Sequence, residues 1–469
     1  MTGPSDTSVG LQAGAAHVDI TPPAGVHLTG SIAEHRPAKL VWDPLYARAV
    51  VLQHGAVSVC ILTLDVTLLT EAYTSRIRQA AAKKFGLNPD AVMVAATQTH
   101  SAPSLGRVML DDDFPPLPDG CDWLGGGEQA YSTWAAHRAV QAIGEAVDNL
   151  HPVQMGAGRG IEGRLAFNRR AVMRNGRVGM PGPAFPKPLG PTDILYIEGP
   201  IDPELGMVCL RDETMRAPII IANYTCHPVH VFPRPIVSAD WPGALANALT
   251  HDQPGARALV LNGACGDINP WPPFDPDYVE DYKAMGAMLA RMAHKVIETL
   301  EFAPEGRLAY KVRRIPIPLR EVPAEELSWA RSILGESFEP KWRDEAHTAV
   351  DTDWMTAASI YSVYLMHQRS PVLDYEVQVL RVGDAAFVGL PGEPFVECGL
   401  QIKLASPARQ TGIVHCTSQY VGYIPTRQAL EKSGHEVDTR YWAKLAPEAF
   451  DMIVEAAGEV LGEVFCRRH

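Results

Sequence analysis

A histidine placed just past an apolar run is the first residue in this 469-residue chain whose type and position suit it to chemistry. Residues 218–225, Pro-Ile-Ile-Ile-Ala-Asn-Tyr-Thr, are short, continuously apolar and rich in β-branched side chains, which predicts a buried strand. His227 follows its carboxyl end, the position where ligands gather in open α/β sheets. Asp240 comes a short loop later, ahead of Pro242-Gly243 and a further apolar run. The same two residues would equally serve as a core histidine and a helix-capping aspartate.

Other strand ends shift that balance. The strand predicted over residues 91–96 opens into Thr97-Gln98-Thr99-His100-Ser101, a second polar cluster at a carboxyl edge. Residues 256–262 run into Gly263-Ala264-Cys265-Gly266-Asp267-Ile268-Asn269, whose glycines would let backbone approach a ligand and whose amides could form an anion-binding concavity. A tight turn needs the same glycines, and no Lys-Ser/Thr pair follows, so this is not a phosphate-gripping loop. Residues 376–390 predict a hairpin turning at Gly383-Asp384 and delivering Glu393 to a strand end. The stretch around Asp111, dense in Asp and Pro, reads as a loop beside the site, more in keeping with a solvated acidic surface than with a cation site.

The elements that must position these residues alternate. Two strands meet at the His54-Gly55 hairpin, a helix over 71–85 is capped by Asp65 and stopped by Gly86, and the strand at 91–96 completes a crossover between parallel strands. Helices are expected near 128–150, 277–300 and 447–465, with mainly helical structure over 323–370, where Trp329, Trp342 and Trp354 would pack, and a Gly- and Pro-rich loop over 174–192. The fold class expected is α/β, a mixed and largely parallel central sheet flanked by helices, with a smaller C-terminal α+β part. The corresponding division is a disordered tail over residues 1–12, a catalytic core over 13–305 and a part over 306–469 that completes the site.

A net charge of −13 argues against nonspecific nucleic-acid or anionic-membrane partners. The amino terminus has no basic and apolar leader, and no run reaches the roughly 18 apolar residues of a membrane span. Eight scattered cysteines without a C-x-x-C pair suggest reduced thiols, so a cytoplasmic location is expected. The partner expected is a small-molecule substrate, and a homo-oligomer is compatible with the sequence.

Taken in order, the strand-end motifs resemble the neutral/alkaline, non-lysosomal ceramidase family of zinc-dependent amidases. The resemblance rests on residues 16–22, residues 43–48, Thr97-Gln98-Thr99-His100-Ser101, Asn168-Arg169, His227-Pro228, Ser238-Ala239-Asp240, Gly266-Asp267, Pro391-Gly392-Glu393 and residues 420–425. It covers the catalytic module alone and implies neither the family's export signal nor its C-terminal immunoglobulin-like domain. In that family two histidines, a glutamate and a tyrosine hold one zinc. Carried over by motif, His227, Glu393 and Tyr423 are ligands here, a donor set that suits zinc. Two positions depart from the pattern. Gln98 replaces the family's metal-binding histidine, so that either Gln98 or His100 completes the metal site. Asn269 replaces the serine that ceramidases need, and an amide is no alkoxide nucleophile.

The resemblance therefore implies a zinc-dependent hydrolase rather than a true ceramidase. It would cleave an amide, ahead of an ester or a lactone, in a small soluble metabolite by metal-activated water. His100 is the general acid/base if it is not a ligand, Arg169 would bind an oxyanion or a substrate carboxylate, and Asp267 and Asp240 would orient ligands. His230 and His435, the latter standing where the family tends to have tyrosine, are candidates for substrate contact. The alternatives are a metal-dependent lyase or isomerase on the same scaffold and a non-catalytic ceramidase-like binding protein.

Overall fold

The computed structural model describes residues 10–181, 193–212, 218–275, 277–304 and 306–465. Three sheets carry the chain. The first orders β4 (Val92–Ala96), β3 (Val57–Leu64), β2 (Tyr46–His54) and β1 (Gln12–Asp19), with His151–Pro152 at its edge. The second orders β8 (Arg257–Asn262), β7 (Ile219–Tyr224), β6 (Glu204–Arg211) and β5 (Gln154–Ile161). The third orders β9 (Leu308–Pro318), β10 (Val372–Val382), β11 (Ala385–Gly389) and β12 (Gln410–Val414).

The α/β class and the mixed sheets are as expected, but parallel pairing does not predominate. Neighbours joined by tight turns, β2 to β3 and β10 to β11, pair antiparallel, as hairpins must. In each sheet one pair is parallel, and a helix lies between its members: β3-α1-β4 with α1 at Glu71–Phe85, β7-α3-β8 with α3 at Asp240–Thr250, and β11-α7-β12 with α7 at Val396–Ala405. The remaining long helices are α2 (Gln129–Asp148), α4 (Tyr282–Glu298), α5 (Ala324–Leu334), α6 (Thr352–Arg369) and α8 (Ala449–Phe465).

The three sheets turn one face each toward a shared apolar seam that includes Val50, Val59, Met93, Val208, Ile221, Leu259, Leu380, Phe387 and Val414. This seam draws residues from both sides of position 305. The outer faces are covered separately. Ile77 of α1, Ala135 of α2 and Trp354 of α6 belong to the cluster over the first sheet. Leu245 of α3 and Leu289 of α4 cover the second, and Ile402 of α7 and Ile453 of α8 cover the third. Full burial of each such side chain contributes about 1.5–3 kcal/mol, which fixes the sheets relative to one another.

Several local expectations change. Asp65 does not cap α1; it is fully buried, pairs with Arg48 and accepts the Tyr46 N–H, while Thr70 occupies the N-cap position. The acidic stretch is no solvated surface at Asp111, which is buried and held at both oxygens by Arg369, 2.9 and 2.8 Å away. A buried carboxylate needs such a partner. Trp354 packs in the core, whereas Trp329 stays 37% exposed. The seven described cysteines are free and buried. Of the expected tail, residues 1–9 lie outside the described residues, and Gln12 begins β1. Residues 182–192 of the Gly- and Pro-rich loop and Cys466 also lie outside them. Among the described residues no helix is long and apolar enough to cross a membrane.

Candidate functional site

The carboxyl ends of the three parallel pairs point to one place, so five separate loops bring their polar residues together. Gln98 and His100 follow β4, His227 follows β7, Asp267 and Asn269 follow β8, Glu393 follows β11, and His415, Tyr420 and Tyr423 follow β12. Glu393 and Tyr423 face each other in a two-residue parallel bridge, closed by the Glu393 N–H to the Gly422 carbonyl at 2.9 Å.

His227 is completely buried and anchored through its backbone and its ring. Its N–H reaches the Ile268 carbonyl at 3.1 Å. Nδ1 lies 2.6 Å from the Cys265 carbonyl and 3.2 Å from that of Ile268. Carbonyl oxygens only accept, so Nδ1 carries the proton and Nε2 is left with a lone pair. That Nε2 is 3.1 Å from Oε2 of Glu393. Two acceptors therefore confront each other unless a cation, either a second ring proton or a metal ion, lies between them. The other oxygen, Oε1, accepts from the Tyr420 hydroxyl at 2.9 Å. Burial by itself would raise the Glu393 carboxyl, but His227, the Arg169 charge and a hydrogen bond from Gln98 outweigh it and hold the group well below the usual carboxylate range.

Backbone geometry serves the same contact. A Cβ on Gly266 would lie 2.4 Å from the Glu393 carbonyl oxygen, so the loop after β8 can pass this close only as glycine. The glycine amides of this loop do not form an anion cradle, because Gly263 donates to Tyr224 and Gly266 to Pro394 at 2.9 Å each. Gln98 is buried with a positive φ of 66°, a left-handed conformation that side-chain-bearing residues adopt at a cost.

His100 lies beside His227, ring centroids 5.6 Å apart and planes at 67°, with Phe232 edge-on at 5.6 Å. Its ring makes no hydrogen bond among the described residues, and burial, then the neighbouring His227, push its basicity well below the ordinary histidine value. Gly30, at φ +113°, lets the ring settle there, since a Cβ would meet its Nδ1 at 2.7 Å. His100, Gln98, Glu393, Tyr420, Tyr423 and His435 line a cavity of about 50 Å³, whose walls also include Thr29, Ile32, Met109 and Trp442.

Arg169 is buried and already engaged. Its Nε donates to Glu436 at 2.8 Å, Nη1 to Asn269 Oδ1 at 3.2 Å and Nη2 to the Tyr423 hydroxyl at 3.1 Å. It thus holds Tyr423 and Asn269 in place from behind and is absent from the cavity wall. Asp267 accepts from Asn168 at 2.6 Å and from the Val396 N–H at 2.8 Å, which ties the loop after β8 to the start of α7. Asp240 binds His230 Nδ1 at 2.8 Å and the Val231 and Trp241 N–H groups, so this pair braces its own loop. His435 packs against Tyr423 at 5.6 Å and stacks on Trp442 at 5.5 Å.

Two participants escaped the sequence reading. His415 stands just past β12, the same signal that singled out His227, and lies fully buried 3.6 Å from the Cys265 sulfur and 6.5 Å between ring centroids from His227. Burial, then the neighbouring His227, lowers it to about 3. Glu436 bridges Arg169 and Arg170, and nothing in its local sequence marks it. The surrounding thiols of Cys226, Cys265 and Cys416 are pushed well up by burial, which keeps them unreactive.

Among the described residues no three His, Cys, Asp or Glu side chains converge on a point that could hold a metal. His227 and Glu393 supply two such donors, and further donors beside them are the phenol and amide oxygens of Tyr423, Tyr420 and Gln98 and the His100 ring. Two donors on one tetrahedral zinc stand roughly 3.3 Å apart. The 3.1 Å between His227 Nε2 and Glu393 Oε2 fits that spacing.

No protein-family model matches the chain, and no curated protein matches it. Two solved structures are similar over nearly its whole length. Neutral ceramidase from Pseudomonas aeruginosa superposes with a TM-score of 0.71 at 17% identity, covering 97% of this chain and 74% of that one. A ceramidase complexed with C2 gives a TM-score of 0.71, 17% identity, and 97% and 75% coverage. The chain has a ceramidase-like fold.

Proposed function

We propose that this chain is a zinc-dependent hydrolase that cleaves an amide, ahead of an ester or a lactone, in a small soluble metabolite in the cytoplasm. The observation that carries the reading is the lone pair of His227 Nε2 facing the Glu393 carboxylate at 3.1 Å with Nδ1 already committed to carbonyl oxygens. Acceptors held this way by buried backbone are suited to a cation. His227, Glu393 and Tyr423 would hold it, completed by Gln98 or His100. Bound there, zinc would polarise the scissile carbonyl and bring a water closer to deprotonation at neutral pH.

The chain's own groups supply the rest. His100, unpaired and on the cavity wall, is the group that can take a proton from water and return it to the leaving amine. Tyr420 donates to Glu393 and fixes the carboxylate's orientation, and Arg169 does the same for the Tyr423 phenol. Asn269 has no ionisable hydroxyl and accepts from Arg169, so the chain offers no side-chain nucleophile at that position and attack by water follows. A cavity of about 50 Å³ favours a compact substrate over a two-chain lipid.

The decisive test is the metal content of the gently purified protein by mass spectrometry, beside His227→Ala and Glu393→Ala. Near-stoichiometric zinc in the parent and its loss from both variants is expected. A parent that takes up no zinc on reconstitution refutes the reading. Turnover in oxygen-18 water then separates hydrolysis, which labels the new carboxyl group, from a lyase or isomerase reaction.

A further inference from the structure

The parallel pair β11 and β12 has two ends, and the candidate site uses only one. At the other, the Gly383–Asp384 turn before β11 and Arg409 at the start of β12 border a cleft of about 870 Å³. Five extended residues separate the two ends, about 16 Å of strand. The far wall is β5 and the chain that follows α4, from Thr299 to Ala303. Small-molecule sites occupy roughly 300–1,000 Å³, so the cleft has the volume of one.

Its walls carry charge of one predominant sign. Arg159, Arg307, Arg381 and Arg409 line it, against the carboxylates of Glu301 and Asp384. Arg159 is matched by Glu204 at 3.3 Å, outside the cleft wall. Arg381 donates to the Gly383 and Val464 carbonyls, at 2.8 and 3.4 Å, and stacks on Phe465. Arg307 and Arg409 make no side-chain hydrogen bond or ion pair among the described residues. Burial, with the repulsion of Arg307 added, lowers the Arg381 guanidinium from its usual value, so these groups share one field. Four arginines against two carboxylates around one hollow run counter to the chain's net charge of −13.

From this gathering of arginines around a cleft of metabolite size we infer that the cleft is a second binding site, for a small polyanion carrying two or more phosphate or carboxylate groups. Guanidinium forks match both groups through paired N–H donors, and the cleft's volume admits a metabolite-sized ligand.

The test is isothermal titration calorimetry of the full chain at low salt with inorganic pyrophosphate in one arm and citrate in the other. Each is repeated on Arg307→Gln, Arg409→Gln and the double variant, all at exposed side chains whose loss leaves the core intact. One-to-one binding that weakens about tenfold for each arginine removed and fades with added salt is expected. Pyrophosphate as the stronger ligand assigns the phosphate class, citrate the carboxylate class. No binding of either at millimolar concentration, or binding that the double variant leaves unchanged, overturns the inference.

Discussion

Tyr423 stands directly opposite Glu393 in the two-residue parallel bridge, yet the phenol that reaches the Glu393 carboxylate is that of Tyr420, at 2.9 Å, while Tyr423 accepts from Arg169. The two tyrosines thus have different partners although they are three residues apart. Under the proposed function Tyr423→Phe removes a ligand oxygen, and Tyr420→Phe removes only an orienting hydrogen bond. Zinc affinity, read by competition with a chromogenic chelator, is expected to fall by more than about tenfold for Tyr423→Phe and by less for Tyr420→Phe. The opposite ranking would transfer the ligand role to Tyr420.

Gln98 offers a neutral amide at the cavity wall where an imidazole would bind zinc more strongly. Its φ of 66° is a region that histidine visits more readily than most side chains, so Gln98→His is expected to fold. The variant should hold zinc about tenfold more tightly or better, measured in the same competition assay. Unchanged affinity would show that His100 already completes the site.

Glu436 is the shared counter-ion of Arg169 and Arg170, at 2.8 Å from each, and all three are buried. Glu436→Gln would leave Arg169 without a carboxylate and Arg170 with that of Glu198 alone. A loss of roughly 3–5 kcal/mol in unfolding free energy is expected, read from the urea midpoint. Tyr423 should also lose its fixed orientation, because Arg169 positions it.

Lys444 is buried, donates to the Tyr441 carbonyl at 2.8 Å and lies over the Tyr441 and Tyr420 rings. Burial lowers it to about 7, with Asp111 pulling the other way. The unfolded chain holds this proton up to about pH 10.4. Between pH 7 and that value the unfolded state binds more protons, so folded stability rises with pH. The gain is on the order of 1 kcal/mol per pH unit. Below pH 7 both states are charged and the full cost of burying the ammonium remains. Lys444→Met should lose this slope, so thermal melts of parent and variant between pH 7 and 9 should diverge in slope, not merely in offset.

Much of the scaffold was legible locally. Helix α1 begins and ends at Glu71 and Phe85 as its pattern and Gly86 indicate, and the hairpins at His54-Gly55 and Gly383-Asp384 form where turn chemistry places them. The predominance of parallel pairing was misjudged, because an apolar strand looks the same whichever neighbour it finds. Asp65 and Asp111 were misread for a related reason. Each carboxylate's role depends on an arginine, Arg48 or Arg369, that only tertiary packing brings near.

Residue types and strand ends, which local sequence carries, nominated His227, His100, Gln98 and Glu393 without any coordinates. Packing alone decided how they are used. It put the carboxyl ends of three βαβ units, drawn from three sheets, side by side, with His227 of the second against Glu393 of the third and His100 of the first. It also spent Arg169 on Glu436, Asn269 and Tyr423, and it drew His415 in beside Cys265. The physical reason is that hydrogen-bond demand and burial are properties of a site's whole surroundings. Those surroundings are assembled here from residues as far apart in sequence as Gln98 and His435.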